Sequence, residues 1–237
     1  METRQGYVVT AAAFCLQMLG IGSLLSFGIF IPALENEFGW SRATVAGAAS
    51  MANLVNGVLA LGAGYLSDRY GPRIVMTIAG IIVGSAYFLM SQTQAIWQLY
   101  LAYGGLYAIG WSAFDVVPLS TVAKRFSANR GVMTGIVKVG AGTGMFAIPL
   151  LVGGLVSSVG WRWAFVALGV LVLVGVSTAA QFLRLKPAAA SVENASEVTA
   201  PATPVGAAMG LTLHQAFHTS QFWTMCVMYL LVYWCSF

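Results

Sequence analysis

Two ionisable residues, Asp115 and Lys138, stand inside long apolar runs of a chain that is 59% hydrophobic and only 8% charged. Placing such a group within a bilayer costs roughly 2.5–3.5 kcal/mol on insertion scales, so each needs a reason. One reason is mutual neutralisation of a carboxylate and an ammonium that only fixes helix packing. The other is an ammonium that faces a water-filled cavity and receives a carboxylate, with the acid tuning it. Asp115 lies six residues before Thr121, and Lys138 lies six after Val132. At the rise of an α-helix both therefore sit roughly 9 Å inside the same membrane boundary. Spans joined by a short loop are neighbours, so the two groups are placed to pair, and both uses stay open.

The run that holds Asp115 also carries Tyr100, Tyr103, Tyr107, Trp111 and Phe114 on one helical face. Tyrosine hydroxyls in a dry core need partners, which packed helices or a wet cavity would supply. Gln17, Asn53 and Asn56 read as hydrogen-bonding groups between helices. His214 and His218 have a spacing that suits a metal pair, but no acid or thiol accompanies them, and an interfacial role is expected with no metal site. No nucleophile–base set is visible, so the chain is not read as an enzyme and no cofactor is implied. "GAGTG" follows no predicted strand and does not read as a phosphate loop.

The elements that hold these residues follow from composition. A mean hydropathy of +0.82 with 27 glycines is far more apolar than a soluble surface allows. Six spans are expected, at about 8–31, 43–66, 74–91, 96–121, 132–156 and 163–183. The first is too long for a signal peptide's apolar core, and five similar runs follow it. Residues 184–221, rich in Ala, Pro, Ser, Thr and Glu, read as a cytoplasmic linker, and 222–237 as a truncated seventh span. Cys15, Cys226 and Cys235 lie in apolar runs and read as small buried hydrophobes.

A cytoplasmic N-terminus places Arg4, Arg69, Arg73, Lys124, Arg125, Arg130, Arg184 and Lys186 inside, against Arg42 and Arg162 outside. Trp40, Trp97, Trp161 and Trp163 then collect at the outer interface, as amphipathic indoles prefer. These loops also explain a pI near 9.1, which therefore does not argue for a nucleic-acid partner.

The stretch "GYLSDRYGPR" from Gly64 has a twin, "GGLVSSVGWR", from Gly153. Gly64 matches Gly153, Leu66 matches Leu155, Gly71 matches Gly160 and Arg73 matches Arg162. Each copy joins the second and third spans of a three-span unit. Three is odd, so the second unit is inverted in the membrane, a sign of secondary transporters.

The first copy resembles the cytoplasmic loop motif of the major facilitator superfamily, G-x-L-x-D-R-x-G-R-R/K. The resemblance implies that Gly64, Asp68, Arg69, Gly71 and Arg73 form a latch between two six-helix halves. Two departures are Pro72, where many members have a base, and Lys124, where the end of the fourth span often carries an acid. "SFGIFIPALENEFGWSRA", "KRFSANRGVMTGIVKVGAGTGMFAIPL" and "GWRWAF" are similar to the monocarboxylate and oxalate–formate carrier branch. The implied fold is all-α and integral to the membrane: a six-helix half of a twelve-helix fold, built from two inverted three-helix repeats, plus a partial seventh helix. The first and fourth spans of that family line the cavity, which favours Lys138, Asp115, Tyr103, Tyr107 and Trp111 as substrate-binding or cavity residues.

The expected function is alternating-access transport of a small organic anion, with a coupled proton or a counter-anion, by a multi-pass protein of the cell membrane. The rival is a non-transporting scaffold or sensor of half length that pairs with another chain. Phe222–Phe237 is sixteen residues, roughly 24 Å of helix against a hydrocarbon core of ~30 Å. A missing C-terminal half or a second copy is accordingly expected as partner, alongside the lipid bilayer. The resemblance puts further basic substrate residues in that half.

Overall fold

The computed structural model describes residues 2–126 and 129–183, and beyond them Trp223, Thr224 and Met228, each helical. The expected linker and seventh span, with His214 and His218, otherwise lie outside the described residues. The chain divides into two units, Met1–Lys186 and Pro187–Phe237. The first holds the six helices that follow.

These are α1 (Glu2–Phe38), α2 (Arg42–Tyr70), α3 (Pro72–Ser91), α4 (Ile96–Arg125), α5 (Arg130–Val159) and α6 (Trp161–Phe182). All six are long and apolar enough to cross a membrane, and no strand occurs among the described residues. Most run past the apolar spans at one or both ends. The hydropathy pattern marks where apolar side chains stop, whereas the helix continues because an interface still penalises unpaired backbone groups. α4 is not uniform: Tyr100–Tyr107 is wound as a π-helix between two α-helical segments.

The turns of the repeat have shrunk to one residue each. α2 ends at Tyr70 and α3 starts at Pro72; α5 ends at Val159 and α6 starts at Trp161. Gly71 (φ 87°) and Gly160 (φ 85°) make these reversals in nearly the same conformation. A Cβ is strongly disfavoured in that region, so glycine is required at both. Gly71 N–H donates to the Ser67 carbonyl at 3.0 Å and Gly160 N–H to Val156 at 3.2 Å. Ser67 and Val156 occupy equivalent places in the two copies.

Packing follows the same exchange of α1–α3 with α4–α6. α1 lies against α5 as α4 lies against α2, and α3 meets α6 across the pseudo-twofold. The first seam is a backbone contact: a Cβ on Gly144 would stand 2.1 Å from the Met18 carbonyl oxygen, and one on Gly140 2.5 Å from that of Phe14. In the α3–α6 seam a Cβ on Gly84 or on Gly169 would lie 3.2 Å from the other's carbonyl oxygen. Membrane helices gain little from excluding lipid, so close approach through small residues carries the association. α2 and α5, equivalent in the exchange, are the least covered helices, leaving Leu54, Val58 and Leu61 and then Val139, Phe146 and Leu150 exposed.

Candidate functional site

Close packing of α5 on α1 and the loop back to α4 bring the two in-membrane charges together. Lys138 Nζ stands 2.9 Å from Asp115 Oδ1. Both side chains are about half exposed, 49% for Lys138 and 54% for Asp115, so the pair opens onto a face that this unit leaves uncovered. A third residue completes the group. Gln17 of α1 is buried and donates from Nε2 to the Phe114 carbonyl at 3.1 Å and to Asp115 Oδ1 at 3.4 Å. Its amide thus ties the backbone and the same carboxylate oxygen that receives Lys138. Sequence reasoning gave Gln17 only a general helix–helix bond, and its position says nothing of its partner.

Chemically, the group is an ammonium held by one carboxylate that has a second, neutral donor. An incoming carboxylate that takes Lys138 leaves Asp115 still anchored by Gln17. The arrangement can therefore trade one carboxylate for another on the same ammonium.

The aromatic face takes a different place from the one expected. Tyr103, Tyr107 and Trp111 do not line an open cavity in this unit; they are buried, at 1%, 0% and 6% exposure. Phe27 of α1 stacks on Tyr103 with ring centroids 3.8 Å apart, Tyr103 on Tyr107 at 4.7 Å, and the column continues through Trp111 to Phe114. Tyr87 of α3 closes it edge-on to Tyr107 and donates its hydroxyl to the Ser23 carbonyl at 2.9 Å. Tyr100 donates to the Thr44 carbonyl at 2.9 Å, in the space left by Gly47. A protein carbonyl thus takes up the Tyr100 hydroxyl, whereas the Tyr107 hydroxyl is buried without a hydrogen-bond partner among the described residues. The column adjoins Asp115 through Phe114 and supports the site from within.

Beside the C-terminal end of α4, where Lys124 stands, lies the loop motif. Asp68 pairs with Lys124, both side chains being at least half exposed. The sequence marked Lys124 as an inside base and as a departure from the family pattern; here it is the partner of Asp68. Arg69 donates to the Tyr65 hydroxyl at 3.4 Å and lies over the Tyr70 ring. Arg73 Nε donates to Gln181 Oε1 at 2.6 Å. A Cβ on Gly64 would meet Val116 at an ordinary 3.6 Å, so packing within this unit does not require that glycine.

The inverted copy shows what Arg73 lacks. Its twin Arg162 reaches Glu37 at the end of α1, Nη2 to Oε1 at 2.8 Å. Trp161 Nε1 donates to the other Glu37 oxygen, and Arg162 also covers the Trp161 ring at 4.5 Å. The matching place at the end of α4 carries Lys124 instead of an acid, and Arg73 turns to a neutral amide. Glu37 was not singled out from the sequence, because nothing local links it to a residue 125 positions away.

A sequence profile of the Major Facilitator Superfamily matches residues 10–237. Monocarboxylate transporter 11 of Mus musculus is 29% identical over 213 residues, covering 90% of this chain and 46% of that protein. Monocarboxylate transporter 13 of Rattus norvegicus is 30% identical over 168 residues, 71% of this chain and 39% of that protein. MFS-type transporter eupM of Phoma sp is 29% identical over 159 residues, 64% of this chain and 56% of that protein. The chain spans about half the length, or less, of these relatives. Six membrane-length helices in two inverted triplets, the Gly64–Arg73 motif and the profile match agree: the chain belongs to the Major Facilitator Superfamily.

Proposed function

We propose that this chain forms the anion-binding half of a secondary carrier for small monocarboxylates, which works by alternating access in the cell membrane with the N-terminus in the cytoplasm. The observation that carries the reading is the half-exposed Lys138–Asp115 pair, backed by Gln17, at membrane depth. Lys138 is the cation that receives the substrate carboxylate, and Asp115 is its partner when the site is empty. A charge pair that is broken and remade on each cycle keeps the cation neutralised during the empty return, when an unpaired ammonium would be costly. The buried aromatic column keeps the α1–α4 wall rigid, so that opening occurs by rocking of whole halves. Gly64, Asp68, Arg69, Gly71 and Arg73 serve as the latch on the cytoplasmic side. The coupled species is a proton or a counter-anion. Relatives named as monocarboxylate transporters favour this reading over a scaffold.

The test is carboxylate uptake into proteoliposomes that contain the carrier. Saturable uptake of a short monocarboxylate, lost in Lys138→Gln at equal incorporation, is expected. Saturable uptake that survives Lys138→Gln unchanged overturns the assignment of Lys138.

A further inference from the structure

An open groove of about 750 Å³ lies at the end of the bundle that carries the loop motif, between the α2–α3 turn and the last turn of α6. Its polar lining includes Ser67, Asp68, Arg73, Thr77 and Gln181, and its apolar lining includes Ile74 and Ile78. The geometry points to a binding site for the phosphate headgroup of an anionic phospholipid, held by Arg73.

Three observations carry this. The first is a prepared guanidinium. Gln181 Nε2 donates to the Ser177 carbonyl at 3.2 Å and to Thr77 Oγ1 at 3.4 Å, which turns its Oε1 toward Arg73 Nε. That bond fixes the plane of the guanidinium and leaves both terminal nitrogens without a protein acceptor among the described residues. Two parallel N–H groups of an arginine match two oxygens of a phosphate. The second is charge. Asp68 also borders the groove, but Lys124 already neutralises it. Around the α2–α3 turn one carboxylate thus stands against Arg69, Arg73 and Lys124, an excess that favours a net anion over a zwitterion.

The third observation selects a lipid over a soluble phosphate. From Arg73 an apolar stripe runs along α3 into the membrane. Ile74, Ile78 and Ile81 are spaced one turn apart and are each about half exposed, at 53%, 51% and 50%. A ligand with an anionic head and an acyl tail covers both the guanidinium and the stripe. The inference rests on the membrane-spanning assignment and shares Arg73 with the latch, but its experiment reads melting and not uptake, so it can fail while the transport reading stands.

The experiment is thermal unfolding of the purified chain in nanodiscs of phosphatidylcholine, with and without phosphatidylglycerol. Phosphatidylglycerol is expected to raise the melting temperature of the wild type by several degrees. Arg73→Gln should abolish that shift while melting normally in phosphatidylcholine alone. Arg130→Gln, away from the groove, should keep it. Equal loss in Arg130→Gln would mean diffuse attraction and overturn the site. So would an equal shift from inorganic phosphate added to phosphatidylcholine nanodiscs, because a soluble anion would then suffice. If Arg73→Gln fails to fold, Ile78→Asn decides in its place: it makes the apolar stripe polar without adding charge beside the guanidinium, and an undiminished phosphatidylglycerol shift there overturns the lipid assignment.

Discussion

At the scale of single residues, the informative partners of Asp115 come from two different helices. Lys138 supplies charge and Gln17 a buried amide. Replacing Lys138 or Asp115 alone leaves the other charge uncompensated, so the two effects should not add. With both side chains half exposed the coupling is screened, and about 1 kcal/mol is expected from a double-mutant cycle of Lys138→Ala and Asp115→Ala. Thermal melts of the four proteins in one lipid measure it, and strict additivity would show that the contact carries no energy. Gln17→Leu is expected to cost about 1–3 kcal/mol, because it strands the buried Phe114 carbonyl. Its melting temperature should fall below that of the wild type in the same lipid, and an unchanged melt would show that the Gln17 bond carries no energy.

Helices set the next scale, and here glycines divide by their surroundings. A Cβ on Gly144 would collide with the Met18 carbonyl at 2.1 Å, while one on Gly142, two residues earlier, meets nothing within 4 Å. Gly144→Ala must therefore push α5 off α1. A loss of roughly 2–4 kcal/mol, or failure to accumulate, is expected from overpacking against rigid backbone. Gly142→Ala should be neutral or gain up to ~1 kcal/mol through helix propensity. Expression and melting of the two variants check this, and equal behaviour would remove the seam from the account. In the sequence both glycines stand in the one stretch "GAGTG". Spacing alone did not tell which of them touches a neighbour.

At the scale of the molecule, the exchange of α1–α3 with α4–α6 relates the two loop copies and exposes their difference. One ends in an acid-bound Arg162 and the other in an amide-bound Arg73. The Asp68–Lys124 pair is exposed and contributes little to folding. Asp68→Asn is accordingly expected to insert and melt like the wild type, within ~1 kcal/mol, but to slow carboxylate uptake several-fold if the latch governs cycling. Uptake rates at matched incorporation check it, and undiminished uptake would leave Asp68 with a purely local role. The repeat, its inversion and the match of Gly71 with Gly160 were legible beforehand. The partner of Asp68 was not, since Lys124 lies 56 residues away on another helix.

The sequence by itself determined the six membrane-length helices of the described residues, the inverted repeat with its matched glycines, and the two charged residues inside apolar runs. Each of these is a one-dimensional property: a run of apolar residues, a recurring spacing, or a residue type that a backbone conformation or a solvent demands. Only the tertiary structure decided which side chains meet. Helix rotation about its own axis sets those meetings, and in a bilayer both the packed and the lipid-facing sides are apolar, so periodicity fixes the rotation weakly. That is why Tyr103, Tyr107 and Trp111 could be assigned to one face but not to the buried one. It is also why Gln17 with Asp115, and Glu37 with Trp161 and Arg162, emerge only when helices 98 to 125 residues apart are packed.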